Sequence, residues 1–359
     1  KPGGDYLTSN TSLIYEQTFE GGTEDLELDI TTLVESWMGG GTTNYGMGVF
    51  LSSSFEAYFS GSGGANSGSV LNNLNGAKKS YYTKRFFARG TQFFFKRPII
   101  EARWDSSQRD QRNDFFFSSS LAPGADNLNT IFLYNFVRGE LTNIPAIGTG
   151  SINVSLYSGS ADNTEPSGSK LQLFNGHFHI TGGFVSTGVY SCSLGIASSS
   201  VSPLFDVWHK SGKEYHTGSI TPKELLASNY EPSPRYLIDI TNLENSYRND
   251  ETFRFNLFVR PKNWNPTIYT KAIATVPTTN IQSASYRVIR TLDNLEVVPY
   301  GTGSDNHTIL SYDGNGNYYD FDMSLLEHSY EYKFKFAFYN KRMNSWEEQQ
   351  EEFKFRVEK

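Results

Sequence analysis

The C-terminal third of the chain alternates between apolar and polar positions. Phe253, Phe255, Leu257 and Val259 fall on one face of an extended segment, and Arg254, Asn256 and Arg260 on the other. Tyr330, Tyr332, Phe334, Phe336 and Phe338 alternate with Glu331, Lys333 and Lys335. Phe353, Phe355 and Val357 alternate with Lys354, Arg356 and Glu358. A period of two with polar partners predicts strands with one face in a core and the other in water.

Upstream, seven short apolar segments follow one another: "NTIFLYNF", "GSINVSLYSG", "KLQLF", "GHFHITG", "GVYSCSLGI", "LFDVWHK" and "KEYHTGSI". Turn residues separate them at intervals of about 8–12, the spacing of an immunoglobulin-like sandwich. Tyr190 stands two residues before Cys192, as the corner tyrosine stands before the second cysteine of antibody domains. The first cysteine of that pair is missing, so Cys192 is read as a small buried hydrophobe. The Pro-containing stretch "NYEPSPRY" leads to the third unit. There Leu326 lies six residues before Tyr332, which resembles the tyrosine corner of fibronectin type III domains. The expected boundaries are 1–125, 126–228 and 229–359.

The N-terminal part reads differently. Ile30, Leu33, Val34 and Trp37 share one face of a helix. Thr32 and Glu35 have capping-box spacing, and Gly39, Gly40 and Gly41 supply the stop. Asn44-Tyr45-Gly46 turns the chain into an expected strand over 47–52, and 60–76 is a Gly/Ser/Asn-rich loop. Further strands are expected around Tyr82, over 85–87, at Phe93, Phe94 and Phe95, and over 99–104 after Pro98, ending on Trp104. The stretch 106–114 is a mixed-charge turn.

Composition agrees with strands. Of 359 residues, 27 are Phe, 22 Tyr and 32 Gly, while only 19% are charged. Aromatics suit a pleated, half-buried surface, and glycine suits turns. So low a charge also suggests that part of the surface is buried against other chains. The net charge of -7 offers no electrostatic attraction to nucleic acid or an anionic membrane, so neither is expected as a partner. One cysteine excludes an internal disulfide. The chain begins at Lys1 with no basic-apolar leader, as a processed product or a partial sequence would.

Candidate chemistry is sparse. "DGNGNYYDFD" places Asp313, Asn315, Asn317 and Asp320 at spacing near the start of a calcium loop, though Tyr318 stands where that loop has glycine and Ser324 where it has glutamate. The other reading is a polar hairpin turn, which Asp-Gly and Asn-Gly favour. Calcium is the one cofactor the sequence offers. His177 and His179 would share a strand face but lack a third ligand nearby. Asp320 and Asp322 are read as solvated strand residues. No G-x-S-x-G, H-E-x-x-H, P-loop or dinucleotide fingerprint occurs, so no enzyme is expected. The triplets Phe93, Phe94, Phe95 and Phe115, Phe116, Phe117 must each turn a ring away from its neighbours. Burial on both faces, or a cover from another subunit, accounts for this, and with Trp104 they are candidate interface residues. Trp264 and Tyr269 in "KNWNPTIYT" are candidate glycan contacts.

"LDITTLVESWMGGGTTNYGMGVFLS", "YYTKRFF" and "KRPIIEARW" together resemble the second half of the DNRLRE-type β-sandwich domain. The matching residues are Asp29, Thr31, Leu33, Val34, Trp37, Gly41, Asn44, Tyr45, Gly46, Pro98, Ile99 and Ala102, over about residues 10–105. The resemblance implies a jelly-roll-like core with the helical turn as a lid anchored by Trp37. The family's first half would lie before Lys1. The chain as a whole, through "NPTIYTKA", "SASYRVIR" and "YGTGSDNHTILSYD", resembles structural proteins of marine tailed phages, particularly the T4-like phages of cyanobacteria. The expectation is an all-β chain of tandem sandwiches, the first DNRLRE-type and two immunoglobulin- or fibronectin-like. It would be a non-enzymatic virion component of capsid, neck or tail, homo-oligomeric and in contact with other virion proteins. The alternative is a carbohydrate-binding adhesin on a virion or bacterial surface.

Overall fold

The computed structural model describes residues 13–51, 84–159, 168–196, 201–224, 234–265 and 278–359, with the short pieces 58–59, 70–71 and 268. Strands make up 38% and helix 7%, so the chain is all-β. It divides into two compact units, Lys1–Pro98 and Ile99–Lys359.

In the first unit, helix α1 spans Thr31–Met38. Its amphipathic face buries Leu33 and half-buries Ile30, Val34 and Trp37, so Leu33 rather than Trp37 is the deepest anchor. The cap also differs from the expected box. Thr32 lies inside the helix, and Asp29 instead accepts the N–H and hydroxyl of Thr31 at 2.9 and 2.6 Å. Gly40 takes the left-handed conformation, φ +72°, that ends the helix. Strands β1 (Tyr58–Phe59) and β2 (Val70–Leu71) pair in parallel. The strands expected over 47–51, 85–87 and 93–95 are not formed, and Phe94–Lys96 is a single 3₁₀ turn. Apolar alternation yields a strand only where a neighbour takes up the backbone N–H and C=O groups. Among the described residues no such neighbour lies alongside. Tyr82 and most of 60–76 fall outside the described residues.

The second unit contains two sandwiches. The first comprises β3 (Asn129–Tyr134), the small hairpin β4 (Phe136–Val137) and β5 (Glu140–Leu141), β6 (Ile152–Tyr157), β7 (Ile180–Ser186), β8 (Val189–Leu194), β9 (Leu204–Lys210) and β10 (Lys213–Ile220). Its hydrogen-bonded path runs β10-β9-β6-β7-β8-β3. Strand β7 belongs to both layers. Ile180 to Gly182 pair with β6, and Gly183 to Ser186 pair with β8. At Gly182 a Cβ would lie 2.4 Å from the Ser191 carbonyl oxygen, so only glycine fits where the strand changes layers. Folding the path this way brings Ile131 and Leu133 of β3 into one core with Val154 of β6 and Trp208 of β9. Cys192 lies in that core, 3% exposed, and burial pushes its thiol up to about 12. The Tyr190 hydroxyl donates to Gly148 O at 2.8 Å and accepts Ile144 N–H at 3.1 Å, tying β8 to the turn ahead of β6. Two segments depart from expectation: 170–174 contributes only an isolated bridge, Lys170 with Tyr157, and β7 starts after His179.

The second sandwich has one sheet of β11 (Tyr236–Ile240), β13 (Thr252–Pro261), β17 (Gly316–Asp322) and β16 (Ser311–Asp313). The facing sheet runs β12 (Ser246–Arg248), β20 (Phe353–Glu358), β18 (Glu331–Asn340), β14 (Ala284–Arg290) and β15 (Glu296–Val298), with β19 (Ser345–Glu348) also on β18. The alternating rings meet between them. Phe255 of one sheet lies 4.9 Å from Phe334 of the other, and Tyr286 stacks on Tyr319 at 4.5 Å. Such pairs add about 0.5–1.5 kcal/mol each beyond the area they bury. The Tyr332 hydroxyl donates to Glu327 O at 2.8 Å, closing the corner that its spacing from Leu326 implies.

The segment 108–118, which overlaps the expected turn 106–114 and lies within the expected first domain, joins the two sandwiches. Asp110 N–H donates to Tyr312 O at 3.0 Å, and Tyr312 N–H returns to Gln108 O at 3.0 Å. The next amide, Gln111 N–H, donates to Thr130 O of β3 at 2.8 Å. Phe117 N–H and Lys223 N–H then exchange bonds with Lys223 O and Phe115 O. This segment belongs to the second compact unit, Ile99–Lys359.

One core hydroxyl stands out. Tyr319 is 3% exposed, and no hydrogen-bond partner for its hydroxyl lies among the described residues. Tyr319→Phe is expected to raise stability by about 1 kcal/mol in chemical denaturation, since it removes a buried polar atom without opening a cavity. A loss of similar size would show that the hydroxyl has a partner.

Candidate functional site

The most built polar cluster of the second unit lies where the bridge meets β9. Asp206 points into the protein among the buried apolar residues Leu204, Phe205, Val207 and Trp208 of β9 and is fully buried. Arg112 reaches it with both terminal nitrogens, the Nη2–Oδ2 bond being 2.8 Å. Trp208 Nε1–H donates to the same Oδ2 at 2.8 Å, and Arg112 Nη2 also donates to Phe132 O at 3.3 Å. Burial works against the Arg112 charge, but Asp206 outweighs it and the guanidinium ends above its ordinary value. Gly218 leaves room for the fork: a Cβ there would lie 2.5 Å from Arg112 Nη1.

Asp110 sits beside this pair, 5% exposed, with Oδ1 accepting Arg112 N–H at 3.1 Å. Burial raises its carboxyl to about 6, with Arg112 pulling the other way. Tyr134 is also raised, by burial first. Tyr318 donates to Gln108 Oε1 at 3.3 Å, so the bridge's side chains contact the far sandwich as well. Arg112, Asp206 and Trp208 bond to one another and tie the bridge to β9. Neither Asp206 nor the bridge was singled out from sequence. The available signal was a lone aspartate inside the apolar run "LFDVWHK".

A cleft of about 410 Å³ opens nearby, lined in part by Thr241, Arg254, Asn256, Asp313, Asn315 and Tyr318. Of the calcium candidates, Asp313, Asn315 and Asn317 line it, and Asp320 does not. Asp313 Oδ1 accepts the N–H of Asn315 at 2.7 Å within its own hairpin. Asn317 is 1% exposed and clasps Ile281, accepting its N–H at 2.8 Å and donating to its carbonyl at 2.9 Å. Asp320 forms a two-bonded fork with Arg254, at 2.7 and 2.9 Å. "DGNGNYYDFD" forms a hairpin, with β16 and β17 paired from Asp313 and Gly316.

The candidate interface rings separate into two kinds. In the first unit Phe93 is 54% exposed, Phe94 36% exposed, and Phe95 half-buried. Phe87 meets Phe93 edge-on at 5.8 Å, and Phe94 meets Phe95 at 5.1 Å. In the second unit Trp104 is 65% exposed, at the end of an extended segment that forms no strand. Phe115 is a correction: it is fully buried in the first sandwich's own core and is not available to another chain. Phe117 packs against that core, and Phe116 is half-buried with its backbone held by Asn129. Trp264 is half-buried, with the Arg260 guanidinium 5.6 Å from its ring centre, and Tyr269 lies outside the described residues. His177 and His179 are exposed ahead of β7.

Removing Arg112 strands the fully buried Asp206. Arg112→Met is expected to cost about 3–5 kcal/mol in urea denaturation of the full chain. A cost below about 1 kcal/mol would mean that Trp208 alone holds the carboxylate.

No family model matches the chain. No curated protein matches it either. Among solved structures, trypsin-activated alpha-2-macroglobulin from Escherichia coli is similar at a TM-score of 0.21 and 10% identity, over 71% of this chain and 17% of that one. Methylamine-reacted alpha-2-macroglobulin of Salmonella gives 0.20 and 8%, over 72% and 16%. The N-terminal Ig1-2 module of the Drosophila receptor protein tyrosine phosphatase DLAR gives 0.17 and 9%, over 65% and 91%. The chain thus spans only 16–17% of the macroglobulins' length. Similarity of this order identifies no family, and the fold class rests on the chain's own ladders: all-β, with immunoglobulin-like sandwiches.

Proposed function

We propose that this chain is a non-enzymatic structural component of a tailed-phage virion, assembled with other virion proteins or copies of itself. One observation supports assembly above the others. Among the described residues of the first unit, Leu33 is the only buried apolar side chain, while Met38, Tyr45, Val49, Phe87 and Phe93 are 84, 91, 69, 47 and 54% exposed. Apolar surface of this extent is rare on a free monomer. The resemblance of the chain, through "NPTIYTKA", "SASYRVIR" and "YGTGSDNHTILSYD", to virion proteins supplies the setting. In this reading the second unit is the rigid body, and the first unit acquires its core from what it contacts.

The test uses particles from a lysate that encodes the chain. Quantitative mass spectrometry should find it at a fixed copy number per particle. Hydroxyl-radical footprinting should show Phe87 and Phe93 several-fold less reactive in the particle than in the isolated chain. Absence from particles, or equal reactivity in both states, would overturn the reading. Binding on a glycan array that Trp264→Ala abolishes would favour the adhesin instead.

A further inference from the structure

Asp110 stands where the bridge crosses from one sandwich to the other. Its own N–H is held by Tyr312 of β16, and the N–H of the next residue is held by Thr130 of β3. Its carboxyl is 5% exposed and receives one N–H, that of Arg112. The Arg112 guanidinium is already turned to Asp206 in a two-bonded fork. Around the Asp110 carboxyl stand Arg112 on its own segment, Asp206 from β9 and Asp313 at the end of β16. The phenols of Tyr134 and Tyr312 face it from β3 and β16. With Asp110 ionised, carboxylates outnumber the one guanidinium in a buried place. We propose that the bridge is a pH-responsive joint between the two sandwiches: Asp110 carries a proton while the bridge is clamped to both, and loss of that proton loosens the clamp.

The direction follows from linkage. Burial raises this carboxyl from the ordinary 3.8 to about 6 in the clamped state. A group with a raised folded-state pKa holds a proton that the opened state releases. The clamp is therefore weakest above pH 6, tightens as pH falls through that value, and gains nothing further below the opened-state pKa.

Hydrogen exchange of the amides of 108–113 in the full chain tests this. After correction for intrinsic exchange rates, protection should be about tenfold higher at pH 5 than at pH 8. Asp110→Asn, which keeps an oxygen for the Arg112 N–H but cannot ionise, should give the same high protection at both. Equal protection of the wild type at the two values overturns the proposal, as does a variant that keeps the tenfold change. A carboxyl-carbon NMR titration of the wild type decides independently of whether the variant folds. A midpoint near 6 for Asp110 supports the joint, and one near 4 refutes it.

Discussion

Backbone groups that leave water must find partners, and between Gln108 and Ser118 they find them on two different bodies. The amides of Gln108 and Asp110 are taken up by β16, that of Gln111 by β3, and those of Phe117 and Ser118 by Lys223 and Ile196. Neither set could form if the sandwiches were free to move independently. A stretch that lacks the apolar alternation of a strand thereby fixes the geometry of the second unit. It also carries Phe115 into the first sandwich's core, so the bridge and the core depend on each other.

Electrostatics at the bridge follow from that constraint. Bringing polar chain between two sheets buries carboxylates, and a buried charge is tolerated only when paired and hydrogen-bonded. Asp206 meets the condition fully, with Arg112 and Trp208 supplying three bonds. Asp110 meets it only in part, with one backbone N–H and a guanidinium already engaged elsewhere. The two aspartates differ in behaviour for that reason, though they lie in one cluster. On the outer face of the second sandwich the Arg254–Asp320 fork is more than half exposed, where such pairs contribute little.

How much of this could be read from sequence depended on the range of the interactions. The strands of the second sandwich were legible because period two is a local signal and Phe253, Phe255, Tyr332, Phe334 and Phe336 each had a polar neighbour. The Tyr332 corner was legible because it closes within five residues. The bridge was not. Its partners lie 94 residues away at Asp206 and 203 away at Ser311, and nothing in "SSQRDQRND" distinguishes a joint from a surface turn. The Phe115 triplet shows the same limit. Composition places rings near a surface, but only tertiary pairing decides that Phe115 goes inward and that Phe93 stays outside.

The two units divide the physical work unequally. The second unit buries rings between paired sheets and pairs Asp206 and Asn317 internally, while the Tyr319 hydroxyl has no partner among the described residues. The first unit has good local structure in α1, with a side-chain cap and a left-handed glycine stop, but among the described residues Leu33 is the one apolar side chain it buries. A helix of eight residues is far below the length that is stable alone in water, so packing has to hold it. If that packing comes from another chain, assembly and folding of the first unit are one event.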